Sequence, residues 1–138
     1  MIKKIIRDEK FLSIPSTDCT QEDLYLYDDL MDTLKANSED CVGLAANMIG
    51  VSKNAIIFLE QDGSYTVMFN PQILSTGANS YLASEGCLSL VGKRKTMRFM
   101  EIDVMFLNKN FRQKVRHLDG LQAKIVQHEI DHTKGILI

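Results

Sequence analysis

The chain has 138 residues, with 16 lysines and arginines against 18 aspartates and glutamates and a formal net charge of −2. Apolar residues make up 45% and charged residues 25%, the balance of a soluble globular protein, and residues 1–138 are expected to form one domain around one core. No broad positive field exists to draw nucleic acid without sequence preference, and no segment has the roughly 20 apolar residues a bilayer crossing needs.

Cys19, Cys41 and Cys87 show no regular spacing. They argue against a disulfide framework and for a reducing compartment. Residues 1–8 lack the apolar stretch of a signal peptide, so a cytoplasmic protein is expected.

The first twenty residues have no clear period and read as an extended lead-in. Leu24, Tyr27, Met31 and Leu34 recur at spacings of three and four. That predicts an amphipathic helix, capped by Thr20 or Asp18 and ending near Asn37-Ser38. Residues 41–50 are small and uncharged, with Gly43, Ala45, Ala46 and Gly50 leaving room for a ligand or a second backbone. Ala55–Leu59 and residues 65–69 read as strands around an Asp62-Gly63 turn, and Asn70-Pro71 is expected to end the second. Residues 73–83 are polar and read as loop or short strand. The basic run Lys93-Arg94-Lys95 with Arg98 reads as a solvated loop rather than a nucleic-acid patch. Glu101–Leu107 and residues 113–118 read as a hairpin across Asn108-Lys109-Asn110. A last helix is expected to start at Asp119, with Gln122 completing a capping box, and to stop at Gly135. Leu118, Leu121, Ile125 and Val126 give it an apolar side.

That helix carries Gln127-His128-Glu129-Ile130-Asp131-His132. His128 and His132 are four apart, so both imidazoles share one helix face and can share a metal ion. Glu129 stands beside that position and can handle protons. None of the six residues after His132 is a plausible ligand, so a third ligand is expected from upstream. This disfavours a conventional HExxH protease with a later ligand. The upstream candidates are His117, Cys19, Cys41, Cys87 and the acids. His117 reads as a strand-surface histidine, Cys19 as incidental and Cys41 as the weaker thiol. Cys87 stands in Glu85-Gly86-Cys87-Leu88-Ser89-Leu90, where a small core residue is the ordinary alternative.

The chain resembles the peptide deformylases. That family has a Gly-x-Gly-Leu-Ala-Ala-x-Gln segment, a Glu-Gly-Cys-Leu-Ser segment and a terminal Gln-His-Glu-x-Asp-His helix. Here they stand at residues 41–48, 85–89 and 127–132. The second and third match fully, and their order and spacing cover nearly the whole chain. The resemblance implies an α+β fold. Mixed and antiparallel strands would pack around the C-terminal metal-binding helix, with the amphipathic helix near the N-terminus. It implies Cys87, His128 and His132 as ligands of one divalent metal, ferrous in the family and replaceable by zinc, nickel or cobalt.

The implied reaction is hydrolysis of the formyl amide of formyl-methionyl peptides and nascent polypeptides. The metal supplies an acidified water, Glu129 moves the protons, and the Leu88 backbone N–H with the amide at position 48 stabilises the oxyanion. A peptide is expected to add as a strand beside Val42 and Gly43, with Gly86 opposite. Its methionine would enter a pocket lined by Val42, Leu121 and Ile125. Glu85 would pair with Arg98 to brace the cysteine loop. The ribosome surface is a further partner under this resemblance; membranes and specific nucleic-acid sites are not.

Met48 stands where the family has its glutamine, and a thioether donates no hydrogen bond. Asn47 is expected to point to the opposite face of an extended segment. Cys41 replaces the first glycine, Val91 replaces a proline, and Lys124 brings a charge to the pocket side of the helix. These departures raise an alternative: a deformylase-fold protein that binds peptide or metal with little turnover.

Overall fold

An uninterrupted apolar run such as Ala55–Leu59 suits a strand covered on both faces. In the computed structural model, which describes residues 1–138, this strand (β2) has four of its five residues buried. It packs against both long helices, α2 (Leu26–Ala36) and α3 (Gly120–Thr133). β2 sits second in an antiparallel five-stranded sheet ordered β1 (Gly43–Ala45), β2, β3 (Tyr65–Thr76), β6 (Glu101–Leu107), β7 (Gln113–Asp119). β4 (Ser80–Gly86) and β5 (Lys93–Phe99) form a separate two-stranded sheet. A single helical turn, α1 (Glu9–Leu12), interrupts the extended lead-in. The α+β fold with its N-terminal amphipathic helix is thus as the sequence implies.

Helix α2 buries Leu26, Leu30, Thr33 and Leu34, spaced three and four apart along one stripe. Leu24, Tyr27 and Met31 flank that stripe and are only partly buried. Thr20 does cap, but it caps a separate 3-10 turn, Gln21–Asp23. Its hydroxyl accepts from Glu22 N–H while Asp23 accepts from Thr20 N–H. Tyr25, at the start of α2, gives no side-chain cap. Asp18 instead accepts from Asn54 Nδ2 at 2.8 Å.

Three local expectations fail for identifiable reasons. β3 does not end at Asn70-Pro71. Asn70 adopts φ +51° and the register shifts between Phe69 and Gln72, so a bulge absorbs the proline within the strand. Asn70 is held there by the peptide of Cys19, accepting from its N–H at 2.7 Å and donating to its carbonyl at 3.1 Å. Lys93 to Phe99 is a strand rather than a loop, because Arg98 turns inward and is buried while Lys93 and Lys95 face out. The capping box of α3 does not form. β7 runs through Asp119 straight into the helix, Asp119 caps nothing, and Gln122 donates to Leu59 O at 3.3 Å.

Gly135 follows α3 with φ +80°, the left-handed stop expected of it. A Cβ there would collide with the Ser13 carbonyl and lie 3.3 Å from the Ile14 carbonyl carbon. These are backbone atoms that cannot step aside. Gly135→Ala is expected to destabilise the fold by about 2 kcal/mol or more, from the left-handed penalty plus overpacking. The urea unfolding midpoint reads this; an unchanged midpoint would refute it.

Candidate metal centre and active site

Helix α3 buries nine of its residues, among them Gln127, His128, Glu129 and His132. Buried polar groups need partners. Gln127 finds them on the end of β5, accepting from Phe99 N–H at 2.9 Å and donating to Phe99 O at 2.8 Å. Its amide thereby fastens the small sheet to the helix.

The two imidazoles converge. His128 Nε2 and His132 Nε2 lie 3.0 Å apart, and with Cys87 Sγ these atoms all fall within 4.8 Å of one another. Cys87 comes from the loop after β4. Glu85, at the inward-facing end of β4, contacts His128 Nδ1 at 2.7 Å through Oε1. With Nδ1 as donor, Nε2 keeps its lone pair for a cation. Burial of Glu85 opposes its ionisation. Hydrogen bonds from His128 and Arg98 overcome that and hold its carboxyl down to about 2. Arg98 forks onto Glu85 at 2.9 Å and 2.8 Å and reaches Asp131 at 2.6 Å. The expected Glu85–Arg98 brace exists. Its extension to His128 at one end and Asp131 at the other was not foreseen, because residues 43 apart in the chain leave no periodic trace.

The donor set fits a divalent cation. A thiolate and two imidazoles are a three-ligand set that leaves one position open. Burial, above all, pushes His132 down to about 3, which favours the neutral imidazole that a cation needs. Glu129 Oε1 is buried without a partner beside the same point. Burial pushes the Glu129 carboxyl up to about 7, a value suited to taking and returning a proton near neutrality.

The open side faces a cavity of about 380 Å³. One wall is the stretch around β1, the edge strand, with Val42 and Gly43; the other is Gly86, Cys87 and Leu88. Gly43 is there because nothing larger fits. A Cβ would lie 2.7 Å from Ile125 Cγ2 and 2.9 Å from Glu129 Oε2. Ile125 lines the cavity, as does Lys124. Leu121 does not; it is 53% exposed and points away from the lining. The Leu88 N–H has no acceptor within the chain.

Met48 also lines the cavity, 1% exposed, with Sδ accepting from Ala45 N–H at 3.4 Å. Asn47 fails to stand in for a glutamine, but not for the alternating-face reason. Residues Ala46–Ile49 form a 3-10 turn, and the Asn47 amide is already spent on His132 O at 2.8 Å. Cys41 lies on the wall yet outside the ligand cluster, donating to Gly43 O at 2.8 Å. Its thiol is pushed up to about 12, chiefly by burial. Cys19 is buried outside the cluster, with its Sγ beside Asn54 O. His117 is exposed on β7 between Asp103 and Glu101, a surface histidine.

Chemistry of this kind belongs to metal-dependent hydrolases, which hold a cation on three protein ligands and leave its fourth side to the substrate. A family profile described as polypeptide deformylase matches residues 2–138. A peptide deformylase of Clostridium beijerinckii is 48% identical over 139 residues, spanning 100% of both chains. A probable peptide deformylase from Synechococcus phage S-SSM7 superposes with a TM-score of 0.86 at 32% identity, over 99% of this chain and 97% of that one. A class I type b peptide deformylase from Acinetobacter baumannii, bound to Met-Ala-Ser, does so with a TM-score of 0.86 at 28% identity, over 99% and 96%. The chain belongs to the polypeptide deformylase family and is a hydrolase of that type.

Proposed function

We propose that Cys87, His128 and His132 hold one divalent metal ion and that this centre hydrolyses the formyl amide of formyl-methionyl peptides. The observation that carries the reading is the convergence of these three ligand atoms beside the buried, unpartnered Glu129 carboxylate. When bound, the metal supplies an acidified water as the nucleophile. Glu129 accepts the proton of that water and returns it to the departing amine. The Leu88 N–H, free of any internal acceptor, donates to the developing oxyanion. The peptide extends along the open edge of β1, with its backbone against Val42 and Gly43 and with Gly86 across the cleft. Ile125 packs against its first side chain, with Lys124 beside it. Leu121, turned outward, takes no part in that pocket.

A soft thiolate with two imidazoles suits iron(II) as the resident ion, and zinc, nickel or cobalt as replacements. The substrate class includes the N-terminus of nascent polypeptides, met at the ribosome surface. All three cysteines are free, which suits a reducing compartment such as the cytoplasm. No helix is long and apolar enough to cross a membrane.

Formate release from formyl-Met-Ala-Ser, by chain purified anaerobically with iron, tests the reading. Met48→Gln belongs in the same assay. A glutamine there can accept from Ala45 N–H through Oε1, as Met48 Sδ does now, and still offer an NH₂ to the cleft. Restoring one oxyanion donor is expected to raise turnover by about 10²–10³-fold. Release by the parent, raised by the variant, supports a deformylase short of one donor. No release from either chain at full metal occupancy would sink the proposal.

A further inference from the structure

We propose that Arg7 is a positioning residue for the Cys87 thiolate and acts on it through one peptide unit. The inference rests on Cys87 being a metal ligand. Residues 6 and 7 touch both walls of the cleft from behind. Ile6 N–H donates to Met48 O at 2.8 Å, on the wall that carries β1. Arg7 reaches the opposite wall, donating from Nη1 to the Leu88 carbonyl at 2.8 Å. The peptide unit that begins with this carbonyl ends in the Ser89 N–H. That N–H donates to Cys87 Sγ at 3.3 Å. Guanidinium, amide and sulfur therefore stand in a single chain of hydrogen bonds.

Two consequences follow from elementary electrostatics. A cation on the carbonyl oxygen draws electron density toward it and makes the attached N–H a stronger donor. Chains of hydrogen bonds reinforce one another by about 10–30% per bond. The sulfur thus receives a better donor than an isolated amide. The same contact also fixes the peptide of Leu88, a cavity-lining residue whose N–H has no acceptor within the chain. The other ties of this loop are the burial of Ser89 and Leu90, a long backbone bond from Leu90 N–H to Cys87 O at 3.4 Å, and Arg94 donating to Val91 O at 3.5 Å. Arg7 is exposed, so water competes for its charge and the effect is a tuning rather than an all-or-none one.

The test uses the full chain loaded with cobalt(II), comparing Arg7→Gln, Arg7→Lys and, as a surface control, Lys4→Gln. Outer partners of metal ligands are worth about 10–100-fold in affinity. Arg7→Gln is expected to weaken cobalt binding by about tenfold, the low end of that range. Its sulfur-to-cobalt absorption band is expected to move to longer wavelength, because a weaker donor leaves the sulfur lone pairs higher in energy. Arg7→Lys keeps the charge and should retain most of both properties, and Lys4→Gln should match the parent. Parental affinity and band position in Arg7→Gln overturn the proposal. So does a lowered thermal midpoint with an unmoved band, which marks Arg7 as structural only. Should Arg7→Gln fail to fold, Arg7→Met takes its place: a band moved to longer wavelength supports the proposal and the parental band position overturns it. A parent chain with no sulfur-to-cobalt band overturns the ligand assignment of Cys87 and this inference with it.

Discussion

Replacing Cys87 with alanine is expected to remove stoichiometric metal binding and formate release together, while Cys19→Ala leaves both at the parental level. Cys87 Sγ is the only sulfur within 4.8 Å of both histidine ligand atoms. Without it two imidazoles remain, too few for a closed three-ligand set. Cys19 is buried elsewhere, next to Asn54 O, and contributes nothing to the cleft. Metal content after desalting reads the result directly. A second readout is thermal: a ligand at 100 times its Kd adds about 2.7 kcal/mol to the folded state, so saturating metal should raise the parental midpoint and not that of the variant. Stoichiometric metal in Cys87→Ala would refute the assignment. If that metal vanished only when Cys41 was also replaced, the third ligand would be Cys41.

Glu129→Gln is expected to separate binding from chemistry. Glutamine has the shape of glutamate, so it fits the space that the missing Gly43 side chain leaves beside Oε2. It carries no base. Positioned proton transfer contributes about 10²–10⁴-fold, and turnover should fall by that amount at unchanged metal content and nearly unchanged KM. A variant with near-parental kcat would remove Glu129 from the mechanism. A variant that lost its metal would show instead that the carboxylate holds the ion.

How much of this could be read in advance depends on the kind of contact involved. Ala55–Leu59 and Glu101–Leu107 were legible because apolar runs, alternation and turn residues are local signals. β5 was not, since Lys93, Arg94 and Lys95 have poor strand propensity and their pairing with β4 is decided by the inward turn of Arg98. β3 hid its continuation behind Pro71, because a bulge anchored by a side chain 51 residues from its partner has no sequence mark. The capping box over Asp119 and Gln122 had the right letters. Gln122 was claimed instead by the Leu59 carbonyl across the sheet. At the site, the gathering of Cys87, His128 and His132 beside Glu129 was legible from motif chemistry and resemblance. The place of Leu121 was not, because one helical position decided whether it met the cavity or solvent. Asp131 and Arg7 act through contacts 33 and 81 residues away, beyond any local pattern.

The chain of charges from Asp131 through Arg98 and Glu85 to His128 has a consequence for how the small hairpin finds its place. A two-stranded ribbon has no third strand to pin it and is marginal alone. Sliding either strand by one residue would exchange its faces, because side chains alternate. Glu85 would then face water, Arg98 would lose its acceptors, and Cys87 would swing off the point where the imidazoles meet. An apolar ribbon could make such a slip at small cost. Here each slip strands a buried charge, and breaking a buried pair costs about 3–5 kcal/mol. The ion network therefore acts as a latch on alignment, admitting one pairing of β4 with β5 and rejecting its neighbours.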